Sequence, residues 1–98
     1  MRPVQIGDLI WVARAVALQA SDRQEDFCRS LFDMAQAADL YRRATGCCHP
    51  NWGNGSLMAA AGQSVLPPEP GFDDPSYVVA WRVTLRIYEA WLISQTRN

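Results

Sequence analysis

The chain contains no lysine. All nine basic residues are arginine, set against ten acidic ones, for a formal net charge of −1 over 98 residues. The missing lysine points to an arginine-favouring, GC-rich coding bias. The near-neutral balance argues against non-specific nucleic-acid binding, which needs many uncompensated phosphate contacts. Charge is scarce overall at 19%, while 49% of the residues are apolar, a combination that excludes disorder over the whole length. No apolar run approaches the roughly 20 residues of a membrane-spanning helix. The start, Met1 to Asp8, lacks the charged, apolar and small-residue regions of a signal peptide. A cytoplasmic protein without a membrane partner is the expectation.

Histidine occurs once and cysteine three times, with two cysteines adjacent. An odd count with a neighbouring pair argues against a disulfide framework and predicts reduced thiols. A zinc site spaces its ligands as Cys-x2–4-Cys and collects a distant second pair. Cys47, Cys48 and His49 are instead consecutive, with no second Cys/His pair, so neither a metal nor another cofactor is expected. A cysteine nucleophile with His49 as base meets the same objection, since adjacent residues seldom aim their side chains at one another. No phosphate loop, Gly-x-Ser-x-Gly elbow, dinucleotide fingerprint or paired-carboxylate motif occurs. The chain reads as a non-enzyme.

What is present is helical periodicity. Residues 7–19 carry Leu9, Ile10, Val12, Ala13, Val16 and Ala17 in a helical repeat, with Asp8 favoured in the first turn by the helix dipole. Trp11 falls on the flank of that stripe and is expected to pack on a neighbouring helix. Ser21-Asp22-Arg23-Gln24 has the form of a capping box. A second helix follows to Thr45, stopped by Gly46 in the left-handed position. Its buried face is Phe27, Cys28, Leu31, Met34, Ala35, Ala38 and Tyr41, and its solvated face Arg29, Asp33, Gln36, Asp39 and Arg43.

A two-turn helix is expected over 56–62, capped by Ser56 and closed by Gly62. Residues 63–75 hold four of the six prolines and read as a stiff spacer, pinned to the core by Phe72. Asp74 and Pro75 then open a last helix over 76–96. Its apolar surface is wide enough to predict either a central place in the bundle or contact with another subunit. Tyr77, Trp81, Tyr88 and Trp91 are the candidates for a self-association surface. The expected fold is all-α: one domain over 1–98, a compact bundle of three main helices plus one short helix, with a proline-rich surface spacer. So small a core, burying roughly 60–65% of the extended surface, gains from a second subunit.

The stretch 45–56, Thr-Gly-Cys-Cys-His-Pro-Asn-Trp-Gly-Asn-Gly-Ser, concentrates three of the six glycines and is the first place to look for a site. His49, Trp52, Asn54, Gly55 and Ser56 are its candidate binding residues. Free N–H groups at Gly55, Ser56 and Leu57 would suit an anion, and the cysteines a metal ion. In the competing structural reading Gly53 and Gly55 supply unusual dihedrals, Asn54 a tight turn and Ser56 a cap, while Trp52 plugs the core and His49 bonds a carbonyl.

The segment His49-Pro50-Asn51-Trp52-Gly53-Asn54-Gly55-Ser56-Leu57-Met58-Ala59-Ala60-Ala61 resembles the HP-x-WG-[ND]-GSLMAAA segment of a family of small uncharacterised alphaproteobacterial proteins, chiefly of Rhodobacter type. Tyr41-Arg42-Arg43-Ala44-Thr45-Gly46 is similar to the stretch that precedes it there. The Gly7-Asp8-Leu9 start and the approach to the last helix are also similar. The adjacent cysteines are not a feature of that family. The likeness implies a short, cytoplasmic, lineage-restricted accessory protein and transfers no functional residue. A non-enzymatic interaction protein, presenting a helical surface to a protein partner or to itself, is the expected function. The alternative is a small module whose 46–57 loop holds an anion or a metal ion.

Overall fold

Periodicity at three and four residues is realised as four helices in a computed structural model that describes residues 1–63 and 65–96: α1 (Ile6–Ala17), α2 (Gln24–Thr45), α3 (Leu57–Ala61) and α4 (Pro75–Thr96). The fold is an all-α bundle. Among the described residues the one strand-like feature is an isolated antiparallel bridge between His49 and Gly53. The shared core is built from Val12 and Val16 of α1, Cys28, Leu31, Phe32 and Ala35 of α2, Leu57 and Ala60 of α3, and Ala80, Val83 and Ile87 of α4. α1 and α2 each pack on both α3 and α4, whereas α3 and α4 do not meet. Fully buried alanines (Ala13, Ala35, Ala38 and Ala80) leave little bulk between helices and let their backbones approach closely.

The helix starts differ from expectation in an instructive way. α1 opens one residue early, at Ile6, and ends at Ala17, with Gln5 as its cap; the Gln5 N–H donates to Asp8 Oδ2 at 2.9 Å. The capping box expected at Ser21 does not form. Residues 21–23 are spent on a turn closed by Arg23 N–H donating to the Ala20 carbonyl (2.8 Å), so α2 starts at Gln24, whose side chain donates back to the Gln19 carbonyl. Gly46 ends α2 as anticipated, at φ +75°. Ser56 caps α3 by accepting from Ala59 N–H, and Gly62 closes it at φ −81°, so that stop does not use the left-handed region. Before α4, Asp74 Oδ1 accepts from Ser76 N–H at 2.9 Å and Pro75 takes the first helical position.

The spacer expected over 63–75 runs without secondary structure from 65 to 71, Ser64 lying outside the described residues. The Pro67 carbonyl accepts from Arg14, whose guanidinium lies 4.9 Å from the Trp11 ring. Phe72 does not enter the core. It is mostly exposed, stacking on Tyr77 at 5.4 Å and meeting Trp81 at a tilt at 6.0 Å, because the turn at 72–73 sets it outside the first turn of α4. Trp11 is half-buried and lies against Gly62 at the end of α3, a neighbouring element as expected.

Candidate functional site

The 46–56 loop is built by its own backbone. His49 N–H donates to the Gly53 carbonyl (2.8 Å) and Gly53 N–H returns to the His49 carbonyl (3.1 Å), closing a five-residue ring around Pro50, Asn51 and Trp52. Inside that ring His49 Nδ1 accepts from the N–H groups of Asn51 (3.0 Å) and Trp52 (3.2 Å). The Nδ1 lone pair is therefore occupied by the loop's own backbone. The expectation that His49 bonds a carbonyl is corrected: its ring serves as acceptor, not donor. The imidazole also stacks on Trp52 at 4.6 Å with 6° between the planes, and Tyr41 meets it edge-on at 5.0 Å. Trp52 is thus half-buried against His49 and does not plug the core.

Of the donors considered for an anion, Ser56 N–H is used within the chain, as are those of Met58 and Ala59 further into α3. Asn54 Oδ1 accepts from Ser56 N–H at 3.0 Å, Ser56 Oγ accepts from Ala59 N–H at 3.1 Å, and Asp8 Oδ1 accepts from Met58 N–H at 3.0 Å. A carboxylate from α1 thus sits at the start of α3, next to the N–H groups considered for an anion, favoured there by the unpaired N–H groups of a helix start. Cys47 and Cys48 are exposed, whereas Cys28 is buried against Thr84. Burial pushes the Cys28 thiol up to about 12, the Thr84 hydroxyl opposing it, so Cys28 is a small core residue and no nucleophile. Among the described residues no three Cys, His, Asp or Glu side chains converge as a metal site would require.

The loop's other end meets an ion cluster that sequence reasoning missed. Asp39, expected on the solvated face of α2, is fully buried. Its Oδ1 accepts from Arg42 at 2.7 Å; its Oδ2 lies 2.9 Å from Arg43 and 3.0 Å from the α-ammonium of Met1, which also donates to Gln36 Oε1. Burial pulls the Asp39 carboxyl upward, but the Arg42 bond, the ammonium and Arg43 outweigh it and hold the group below its ordinary value. Gly55 presses on the same residue. A Cβ placed there would stand 2.7 Å from Asp39 Cβ, and its φ of +94° is a left-handed conformation. The Gly55 carbonyl accepts from Arg2 N–H at 3.0 Å, so the N-terminal strand of chain is tied to the loop beside the ion cluster. The spacing of Asp39 after Cys28, Phe32 and Ala35 marks it as inward-facing, but its charge argued the other way.

The four aromatics of α4 do not form an outer surface. Tyr77 is fully buried, and burial pushes its phenol above the ordinary range, the Trp81 indole acting in the opposite sense. Trp81 is half-buried beside it at 6.3 Å; Tyr88 and Trp91 are half-buried against Phe32 at 6.1 and 6.3 Å. The reason is angular. Positions 77, 80, 84, 87 and 91 follow the three-four spacing of one helix face, and that face meets α1 and α2. The row turned outward is Val78, Leu85 and Leu92, with Val79 and Ile93 beside it; 45, 48 and 41% of the first three is exposed. Choosing residues by aromatic size hid this row, which a seven-residue spacing reveals.

No curated protein and no solved structure shows a significant match to the chain. The model of a domain of unknown function, DUF7742, matches residues 2–88, which takes in α1, α2, the 46–56 loop, α3 and most of α4, and the chain belongs to that family.

Proposed function

We propose that this is a small non-enzymatic interaction protein of the bacterial cytoplasm, of the Rhodobacter-type lineage that its 49–61 segment resembles, and that it presents the outer face of α4 to a protein partner or to a second copy of itself, without binding nucleic acid. The observation that carries the reading is the row of exposed aliphatic side chains on α4: Val78, Leu85 and Leu92, flanked by Val79 and Ile93. Rows of large apolar side chains on one helix face are what helix-in-groove and helix–helix recognition use. Weighing against a ligand in the loop, His49 Nδ1, Asn54 Oδ1 and Ser56 Oγ accept from N–H groups of the chain itself, and Asp8 Oδ1 of α1 accepts from Met58 N–H at the start of α3.

Affinity capture on a C-terminally tagged protein in its native cell tests the proposal, with a second, differently tagged copy co-expressed. Wild type is expected to retain a protein that Val78→Asp/Leu92→Asp does not, at unchanged helix content by circular dichroism. Identical captured sets for the two proteins, second copy included, would sink it.

A further inference from the structure

We infer that the occupant of the α4 outer face is a second copy of this chain, packed antiparallel about a two-fold axis at Leu85. This deepens the proposed function and rests on the same surface. The outer stripe of α4 reads, in order, Val78, Arg82, Leu85, Glu89 and Leu92, with all five side chains exposed. Val78, Leu85 and Leu92 are seven residues apart, so they return to nearly the same angle every two turns and drift only about 20° per repeat, the geometry of a helix–helix seam. From Val78 to Leu92 the seam is about 21 Å long.

The charges on the seam decide the occupant and its direction. Arg82 and Glu89 lie one turn to either side of Leu85 and carry opposite signs. Among the described residues neither has an ion-pair partner, whereas Arg86, on the flank of the same helix, is held by Glu25 of α2 at 2.8 Å. Lay a second α4 antiparallel across the first with Leu85 on Leu85. Val78 then faces Leu92 of the second copy, and Arg82 falls within one residue of its Glu89. The two-fold generates the reciprocal pair, so one surface complements itself in both shape and charge, as an isologous interface must. Parallel packing would set arginine against arginine and glutamate against glutamate. Like charges in register disfavour that arrangement. A single helix pair of this length lies at the low end of interface sizes, which predicts a dimer that dissociates on dilution.

The test is sedimentation equilibrium of the full chain over a concentration series, with circular dichroism as the check on folding. Wild type is expected to pass from monomer to dimer as concentration rises. Arg82→Glu alone, or Glu89→Arg alone, turns two attractions into two repulsions and should raise the dissociation constant roughly tenfold or more. The double variant R82E/E89R restores opposite signs across the axis and should return the constant to near the wild-type value. Leu85→Asp places two carboxylates on the axis and should leave a monomer. A wild type that stays monomeric at high micromolar concentration overturns the inference, as does a double variant no better than the single ones. If the protein is monomeric yet loses a different captured protein on Val78→Asp/Leu92→Asp, the inference fails while the interaction reading survives. A monomer with no such loss ends both.

Discussion

Gly55 and Gly46 are both left-handed residues, yet only one of them is held in a crowd. At Gly46 nothing lies within 4 Å of where a Cβ would be, and at Gly55 the Asp39 Cβ and Cα stand at 2.7 and 2.8 Å. Gly46→Ala is therefore expected to cost about 1 kcal/mol, the backbone penalty alone. Gly55→Ala must also displace α2 from the loop and should cost several times that, on the order of 3 kcal/mol or more; urea unfolding of the two variants gives the comparison. Equal losses would show that the loop does not press on Asp39. The cysteines divide in the same way. Cys47 and Cys48 are exposed and Cys28 is buried with its thiol pushed up to about 12. A thiol reagent at mild pH should label two cysteines in the native protein and the third only after denaturation. Fast labelling of all three would contradict the placement of Cys28 in the core.

At the scale of elements, α3 is the dependent piece. Five residues do not hold a helix in water by themselves. What holds α3 is Leu57 and Ala60 in the core, the Ser56 cap, and the Asp8 carboxylate, which accepts from the N–H of Gln5, the cap of its own helix, and from Met58 N–H in α3. Asp8→Ala removes both bonds at a buried position and should destabilise the protein by about 1–3 kcal/mol. Hydrogen exchange is expected to show amides of 57–61 losing protection before those of α2 and α4; uniform loss across the helices would show that Asp8 is no local stitch. This stitch was only half legible. Asp8 reads from sequence as a first-turn carboxylate of α1, but its second acceptance comes from a residue fifty positions away.

On the scale of the whole molecule, the buried ion cluster ties both chain start and loop to α2. Asp39 is held below its ordinary value, so the folded protein binds this proton less readily than the unfolded chain does. Its contribution is fully present above the unfolded value of about 3.9 and is lost as pH falls through the lowered folded value. Acid unfolding of wild type should therefore show a loss below about pH 4 that Asp39→Asn lacks, the variant being less stable at neutral pH because the α-ammonium, Arg42 and Arg43 lose their counter-charge. Parallel pH–stability curves for the two would rule Asp39 out as the responsible group.

Helix number, approximate ends, the Gly46 stop, the Ser56 cap and the Asp74-Pro75 opening were all determined by the sequence, because each depends on contacts within a few residues. The turn at 21–23 in place of a Ser21 cap, the burial of Asp39 and Tyr77, the Met58–Asp8 bond and the outward row on α4 were decided only by the tertiary structure. Each depends on which helix face meets which neighbour. A local pattern reports that a face exists and not what lies opposite it, and a buried charge is tolerated only where distant partners, here the chain start and Gly55, arrive to enclose it.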